Sequence, residues 1–416
     1  MSVKSTIAEL VVVGAGIVGL SIAWQMHRRG HANILVLDKG AGIGEGSTGA
    51  SSAICRYRYT TMEMIRLART GIDTYRNWAE FVGLKNPRAE FQNEGVLWFT
   101  GDDLAWADRE HARMKDLGIR TAVLDNVDLL EAFPAINPCT RPVDLESPED
   151  HECGGEGRHL LEIDGGYMDP VNAAQDLMEA CRDAGITIRF QAPVEDVVVN
   201  GGRVEGVRLK NGERVHSPVV VNASGPWCND LYRAAGIDAP MPLTPVRIQV
   251  VYLNRSLSLP GAIPITADMQ NGIYFRTQNR GQQLLVSSVR EEDEREVVSD
   301  PDNYLRVADD LFRVEKLHLL EHRLPGLALD ASIRDYCGLY TVNQADVHPL
   351  IGALGPKGFY VANGFSGHGF KTAPAIGAMV ARLVTGDALP EEDSQDDLWL
   401  SPGRSPIGIE TRSVLA

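Results

Sequence analysis

Apolar residues recur along this chain in short buried runs, each followed by a glycine turn and then by helical spacing. The first run is Leu10–Val13, the turn covers 14–19, and residues 20–29 hold helical period until Gly30 stops them. Ile34–Leu37 follows as a second buried strand ending at Asp38. A strand, a helix and a strand within about 30 residues predict a parallel sheet with a right-handed crossover. The same order returns near the end, with a strand over 359–362, a turn over 364–369 and a helix over 373–385.

Between these blocks the pattern changes. Residues 62–81 read as a helix-rich stretch and 169–185 as a second amphipathic helix. Strands over 194–199, 204–209 and 214–221 are joined by Asn200-Gly201-Gly202 and Asn211-Gly212, residues that tight hairpin turns require. The third of these runs into another glycine turn at Ala223-Ser224-Gly225. From about 242 to 325 the chain is strand-rich, with one charged helix over 303–320. Residues 139–157 are acidic, hold two prolines and lack periodicity, which predicts a surface loop. Nucleotide-type segments at the beginning, middle and end imply a discontinuous domain wrapped around a second one.

A length of 416 residues is enough to bury two such domains. The formal net charge of -16 argues against nucleic acid or an anionic membrane as partner. An anionic substrate stays open, because one local Arg or Lys outweighs a distant surface screened by salt. No apolar stretch approaches the roughly 20 residues of a bilayer span. Nothing before Leu10 forms an apolar run, so no secretory signal is expected. Six cysteines (Cys55, Cys139, Cys153, Cys181, Cys228, Cys337) are scattered without a C-x-x-C pair. That spacing predicts reduced thiols in a cytoplasmic protein, with no disulfide frame and no metal site.

Gly14, Gly16 and Gly19 form G-x-G-x-x-G directly after a strand, with Ala15, Ile17 and Val18 between them. In that arrangement the first glycine permits the sharp turn, the second lets the backbone approach a pyrophosphate, and the third lets helix and strand pack closely. Asp38 ends the next strand roughly 20 residues on, where a carboxylate accepts from ribose hydroxyls. An acid there disfavours a 2′-phosphate. The motif predicts a dinucleotide but does not separate FAD from NAD.

Four separated pieces carry a more specific resemblance. Gly46-Ser47-Thr48-Gly49-Ala50-Ser51-Ser52-Ala53-Ile54-Cys55-Arg56-Tyr57 resembles the loop and strand after the second β-strand in the D-amino acid oxidase superfamily. Val221 through Trp227 resembles its second flavin-contacting turn. Leu339-Tyr340-Thr341 to His348-Pro349-Leu350-Ile351-Gly352, and Gly364-Phe365-Ser366-Gly367-His368-Gly369-Phe370-Lys371, are similar to its C-terminal signature. The likeness is greatest to the branch of sarcosine oxidase, dimethylglycine dehydrogenase and the proline dehydrogenase β-subunit. It covers all but 139–157 and the residues after Leu389.

This resemblance implies FAD and an α/β fold of two domains. A Rossmann-type FAD-binding domain would comprise 1–88, 158–240 and 334–390, and an antiparallel β-sheet substrate domain 89–157 and 241–333, with a tail over 391–416. Further cofactor contacts implied by it are Lys39, Ser47, Thr48, Ser51, Ser52, Val194, Ala223, Gly225, Trp227, Gly338, Gly364, Ser366, Gly367, His368, Gly369, Phe370 and Lys371. The implied activity is oxidation of the C–N bond of a small N-substituted amino acid such as sarcosine, dimethylglycine or iminodiacetate. The other readings are a D-amino acid or proline dehydrogenase, a glycine oxidase, or a flavin-binding subunit of a larger complex. Oxygen or another acceptor would take the electrons, and the chain could act as a homo-oligomer or in a hetero-complex.

Such chemistry needs a carboxylate clamp more than acid–base groups. Arg56 matches the branch's carboxylate-binding arginine and offers a bidentate fork, and Arg58 shares its strand face by period two. Lys371 follows Gly-His-Gly-Phe, where a cation at a helix start favours an anionic partner. His368 is a third catalytic candidate, and Tyr340 and Tyr274 are candidates for the cavity wall.

The sequence also departs from the pattern. Tyr340 stands where glycine and D-amino acid oxidases carry an arginine after Gly-Leu, which favours N-substituted substrates. Gly338 takes the place of the cysteine that holds FAD covalently in monomeric sarcosine oxidases. Cys337, one residue earlier, points away by strand alternation, so non-covalent FAD is expected. Ala53 replaces a further arginine of that branch, and Val286 its oxygen-activating lysine.

Overall fold

The computed structural model describes residues 5–101, 103–147, 151–330, 332–387 and 397–408. Valine- and isoleucine-rich runs without polar alternation suit strands covered on both faces. Leu10–Val13, Ile34–Leu37 and Val220–Asn222 are such runs, buried at every position. They lie inside a six-stranded sheet ordered Leu350–Ala353, Phe359–Asn363, Val220–Asn222, Leu10–Val13, Ile34–Leu37, Thr187–Arg189. All neighbours are parallel except the first pair. Helices Ile17–Arg28 and Gly369–Thr385 cross so closely that a Cβ at Gly377 would lie 2.7 Å from the Ser21 backbone.

The Asn-Gly hairpins form as expected, with Val194–Asn200, Arg203–Leu209 and Arg214–His216 antiparallel. The strand expected over 214–221 is two strands in two sheets. Pro218 stands at the break, without an N–H to continue the ladder, and the chain passes there into the six-stranded sheet. Ser5–Ile7 covers the free edge of Arg214–His216.

The stretch over 62–81 is also divided, into Met62–Arg76 and Trp78–Val82, with Gly83 closing the second in a left-handed conformation. The charged helix begins at Asp310 and ends at Arg323. Residues before it are held out of the helix, because Arg247 donates to the carbonyls of Leu305 and Val307 and pairs with Asp309. Among the described residues, 139–157 holds no helix or strand; 148–150 lie outside them, as does most of the tail.

An eight-stranded sheet forms the other part. Its order is Arg334–Asn343, Leu243–Asn254, Gln283–Ser288, Ile273–Gln278, Ile265–Asp268, Val96–Phe99, Arg158–Glu162, Thr121–Asp125. The sheet is mixed, not purely antiparallel: Ile265–Asp268 and Val96–Phe99 run parallel. It also draws in Arg158–Glu162 and Arg334–Asn343, which sequence assigns to the dinucleotide-binding part.

Period-two alternation decides what each face does. Val96 and Trp98 join a cluster continuous with Leu10, Val12 and Leu20 of the other domain. Leu97 and Phe99 pack behind the sheet with Phe275 and Phe312. The site therefore lies between two sheets that share one core. Among the described residues, no helix is long and apolar enough to cross a membrane.

Candidate functional site

Glycine is required at the dinucleotide turn for space. At Gly14, where φ is +111°, a Cβ would lie 2.3 Å from the Ala223 carbonyl oxygen. A Cβ at Gly16 would lie 3.0 Å from Thr48 Oγ1, which accepts from Ile17 N at 3.1 Å. Asp38 accepts from Ala15 N and Gly40 N, each at 2.7 Å, so its carboxylate is fixed beside the turn. A helix N-terminus, an oriented carboxylate and the Thr48 hydroxyl thus meet at a turn where Gly14 and Gly16 carry no Cβ. These residues fit the pyrophosphate and ribose of FAD.

Around this cradle the other expected cofactor contacts take varied places. Lys39 Nζ lies 2.5 Å from Asp302 and 4.6 Å above the Trp227 ring, and Trp227 Nε1 donates to Asp302 at 3.0 Å. Ser47 Oγ donates to the Leu339 carbonyl at 2.7 Å. Gly225 has φ +57°, and Val194 opens the strand Val194–Asn200. A Cβ at Gly338 would lie 2.5 Å from that of Ala50, while Cys337 Sγ lies against Arg247 on the other strand face.

The last glycine turn carries three left-handed residues, Gly364, Ser366 and Gly367. Ser366 Oγ accepts from Asn343 N at 3.0 Å, which ties the turn to the large sheet and offsets the cost of a non-glycine residue there. His368 is the helix N-cap, so Gly369, Phe370 and Lys371 form the first turn of Gly369–Thr385.

One pocket gathers Ser51, Ser52, Arg56, Tyr274, Tyr340, Gly367, Phe370 and Lys371. Its apolar wall is built by Val96, Trp98, Ile265 and Val289, and among the described residues no carboxylate lines it. Arg56 is buried, donates to the Arg58 carbonyl and lies 4.0 Å above the Tyr59 ring. Lys371 is buried as well. Burial first, and the Arg56 charge second, push its amine down to about 7. Tyr274 and Ser52 share a hydrogen bond at 3.0 Å.

Two expected residues stand elsewhere. Arg58 pairs with Glu110 at 3.4 Å beside Trp98 and Trp106, and it is not among the lining residues. His368 is buried edge-on against Tyr59 at 5.2 Å and is likewise outside the lining. Val286 faces the cluster behind the sheet, whereas its neighbour Ser287 pairs across from Tyr274.

Three residues escape sequence reasoning. Trp98 supplies pocket wall. Glu162, buried, accepts from Tyr57 N at 2.5 Å, Arg58 N at 3.1 Å and Trp98 Nε1 at 2.9 Å, and so fixes the segment bearing Arg56. Burial raises its carboxyl above the ordinary range. Arg276 donates to the Ser52 carbonyl at 2.7 Å and stacks on Tyr167 at 4.1 Å. The one signal for the last two is a charged residue directly after an apolar pair, Leu160-Leu161 before Glu162 and Tyr274-Phe275 before Arg276.

Comparison with known proteins gives the family. FAD-dependent oxidoreductase domain-containing protein 1 of Xenopus laevis is 25% identical over 91% of this chain and 79% of its own length. The 4-methylaminobutanoate oxidase (formaldehyde-forming) of Paenarthrobacter nicotinovorans is 27% identical over 91% of this chain and 44% of its own. Among solved structures, L-proline dehydrogenase from P. horikoshii superposes with a TM-score of 0.79 at 23% identity, over 96% of this chain and 98% of that one. The profile of the DAO family, FAD dependent oxidoreductase, matches residues 9–383, and the chain belongs to that family.

Proposed function

We propose that this protein oxidises the C–N bond of a small N-substituted amino acid such as sarcosine, dimethylglycine or iminodiacetate. The observation that carries this is the pairing of two buried basic side chains, Arg56 and Lys371, in one largely apolar pocket, with no carboxylate among the described residues that line it. Burial and the Arg56 charge both disfavour the charged Lys371 amine, the buried Glu162 carboxylate offsets this in part, and a substrate carboxylate between the two side chains would favour the charged form further. The Arg56 guanidinium suits a bidentate grip and Lys371 a point contact. Trp98, Ile265 and Val289 exclude water and favour the uncharged amine, the form that can be oxidised. Tyr274 and Tyr340 line the same pocket, and in this reading they would border the substituent on nitrogen. Bound FAD supplies the two-electron acceptor for the carbon next to nitrogen. The imine product then hydrolyses in water to an amine and an aldehyde or keto acid. The 4-methylaminobutanoate oxidase in the comparison is named for a substrate of this kind, a secondary amine bearing a carboxylate.

The test is anaerobic addition of sarcosine, dimethylglycine, iminodiacetate, proline and D-alanine to the FAD-loaded protein, followed by visible absorbance. An N-substituted glycine is expected to bleach the oxidised flavin. Arg56→Ala should weaken its half-saturation by roughly 30-fold, about 2 kcal/mol. Flavin that stays oxidised with every amine, or bleaching that Arg56→Ala leaves unchanged, refutes the assignment.

A further inference from the structure

The segment 139–157 reads as an unpatterned acidic loop, yet the fold uses it to bring together four metal-ligating side chains. We propose that Cys139, His151, Cys153 and His322 form a tetrahedral structural site for zinc. Their donor atoms all lie within 4.8 Å of one another. Cys139 Sγ and His151 Nε2 are 3.4 Å apart, close to the about 3.6 Å that separates sulfur and nitrogen donors on a tetrahedral zinc ion. The His151 and His322 rings meet edge to face at 4.7 Å. His322 Nε2 is buried and has no hydrogen-bond partner among the described residues, a costly state for an imidazole nitrogen that a metal would remove.

The surroundings suit thiolates. Gly154 N points at Cys139 Sγ at 3.4 Å, and Asn137 Nδ2 at Cys153 Sγ at 3.5 Å. Asn137 Nδ2 also donates to the His322 carbonyl at 3.0 Å, so one amide touches both sides of the site. Arg323, fully buried, donates to the carbonyls of Asn137 at 2.5 Å and Cys139 at 2.9 Å. Ligation by two cysteines and two histidines selects zinc among the common ions, and four protein donors leave no open position for catalysis. Binding a divalent ion would expel the two thiol protons to solvent and leave the site neutral.

The position gives the site a purpose. It fastens the loop to the last turn of Asp310–Arg323, where Arg323 pairs with Asp268 at 2.6 Å. Asp268 ends the strand Ile265–Asp268, whose Ile265, Thr266 and Ala267 line the pocket. The metal would thus brace the pocket wall from behind. The scattered cysteines hid it because the fourth ligand lies far along the chain and no local spacing announces it.

The experiment is metal analysis of tag-free holoenzyme after gel filtration, with thiol titration of the denatured protein without reductant. The expected result is about one zinc per chain, lost in Cys153→Ser and in His322→Asn and kept in His318→Gln on the same helix. Both deficient variants should keep their flavin absorbance, which shows that they fold, and should unfold at a lower temperature than the parent. Cobalt added to chelated protein should give a thiolate charge-transfer difference spectrum in the parent alone. Zinc that persists in both deficient variants, protein that holds no metal and does not take up cobalt, or two of the six thiols missing as a disulfide would each overturn the proposal.

Discussion

At the scale of single residues, the pocket is governed by where protons sit. Lys371 is pushed from an ordinary 10.5 down to about 7, first by burial and then by Arg56. Between those two values the unfolded chain binds more protons than the folded one, so the stability of the ligand-free protein rises with pH across that window. Below about 7 both states are protonated and the full penalty of burying the charge remains. A bound carboxylate has the opposite preference, because it favours the charged amine. Affinity for an amine-free carboxylate such as acetate should therefore fall above pH 7, by up to roughly tenfold per unit. Titration of the flavin spectrum with acetate from pH 6 to 9 checks this. Lys371→Met should bind more weakly at pH 6 and lose the slope; an unchanged slope would show that another group controls the site. The identity of Lys371 was legible from its motif. Its titration was not, since that depends on Arg56 and on burial that distant strands create.

At the scale of elements, the site depends on how tightly Met62–Arg76 meets the first turn of Gly369–Thr385. A Cβ at Gly71 would lie 2.0 Å from the Lys371 carbonyl oxygen, a contact with backbone that cannot rotate away. Tyr75 OH donates to the Phe370 carbonyl at 2.7 Å, and the two rings stack at 5.0 Å. Gly71→Ala must move the turn that carries Lys371, so a stability loss of about 1–3 kcal/mol is expected together with a fall in kcat/KM. Tyr75→Phe removes one hydrogen bond without changing the stack, and should cost about 1 kcal/mol with a smaller kinetic effect. Urea unfolding with steady-state kinetics measures both, and a Gly71→Ala protein of unaltered kcat/KM would disprove the coupling. Local pattern predicted both helices, but nothing in it revealed their crossing. The same blindness explains the strand broken at Pro218 and the late helix start at Asp310. In each case a partner remote in sequence, a second sheet or Arg247, decides the backbone.

At the scale of the whole molecule, the two parts share one apolar core, in which Val96 and Trp98 of the large sheet cluster with Leu10, Val12 and Leu20. The dinucleotide motif and the C-terminal signature made this architecture readable, whereas Glu162 and the Cys139 cluster become visible only once strands and loops are assembled. Whether the cofactor is tethered follows from the strand Arg334–Asn343. Gly338 faces Ala50, and Cys337 lies on the opposite face, against Arg247. Burial raises the Cys337 thiol above its ordinary range, which makes it a poor nucleophile. FAD held without a covalent bond stabilises the folded state only by mass action, by about 2.7 kcal/mol at 100 times its dissociation constant. Acid precipitation should then leave the flavin in the supernatant, and the unfolding temperature should climb with added FAD. A tethered cofactor would instead stay yellow in the pellet and make the unfolding temperature indifferent to free FAD. Flavin retained by the parent but released by Cys337→Ser would place the bond at Cys337, and would mean that this strand turns over when the cofactor binds.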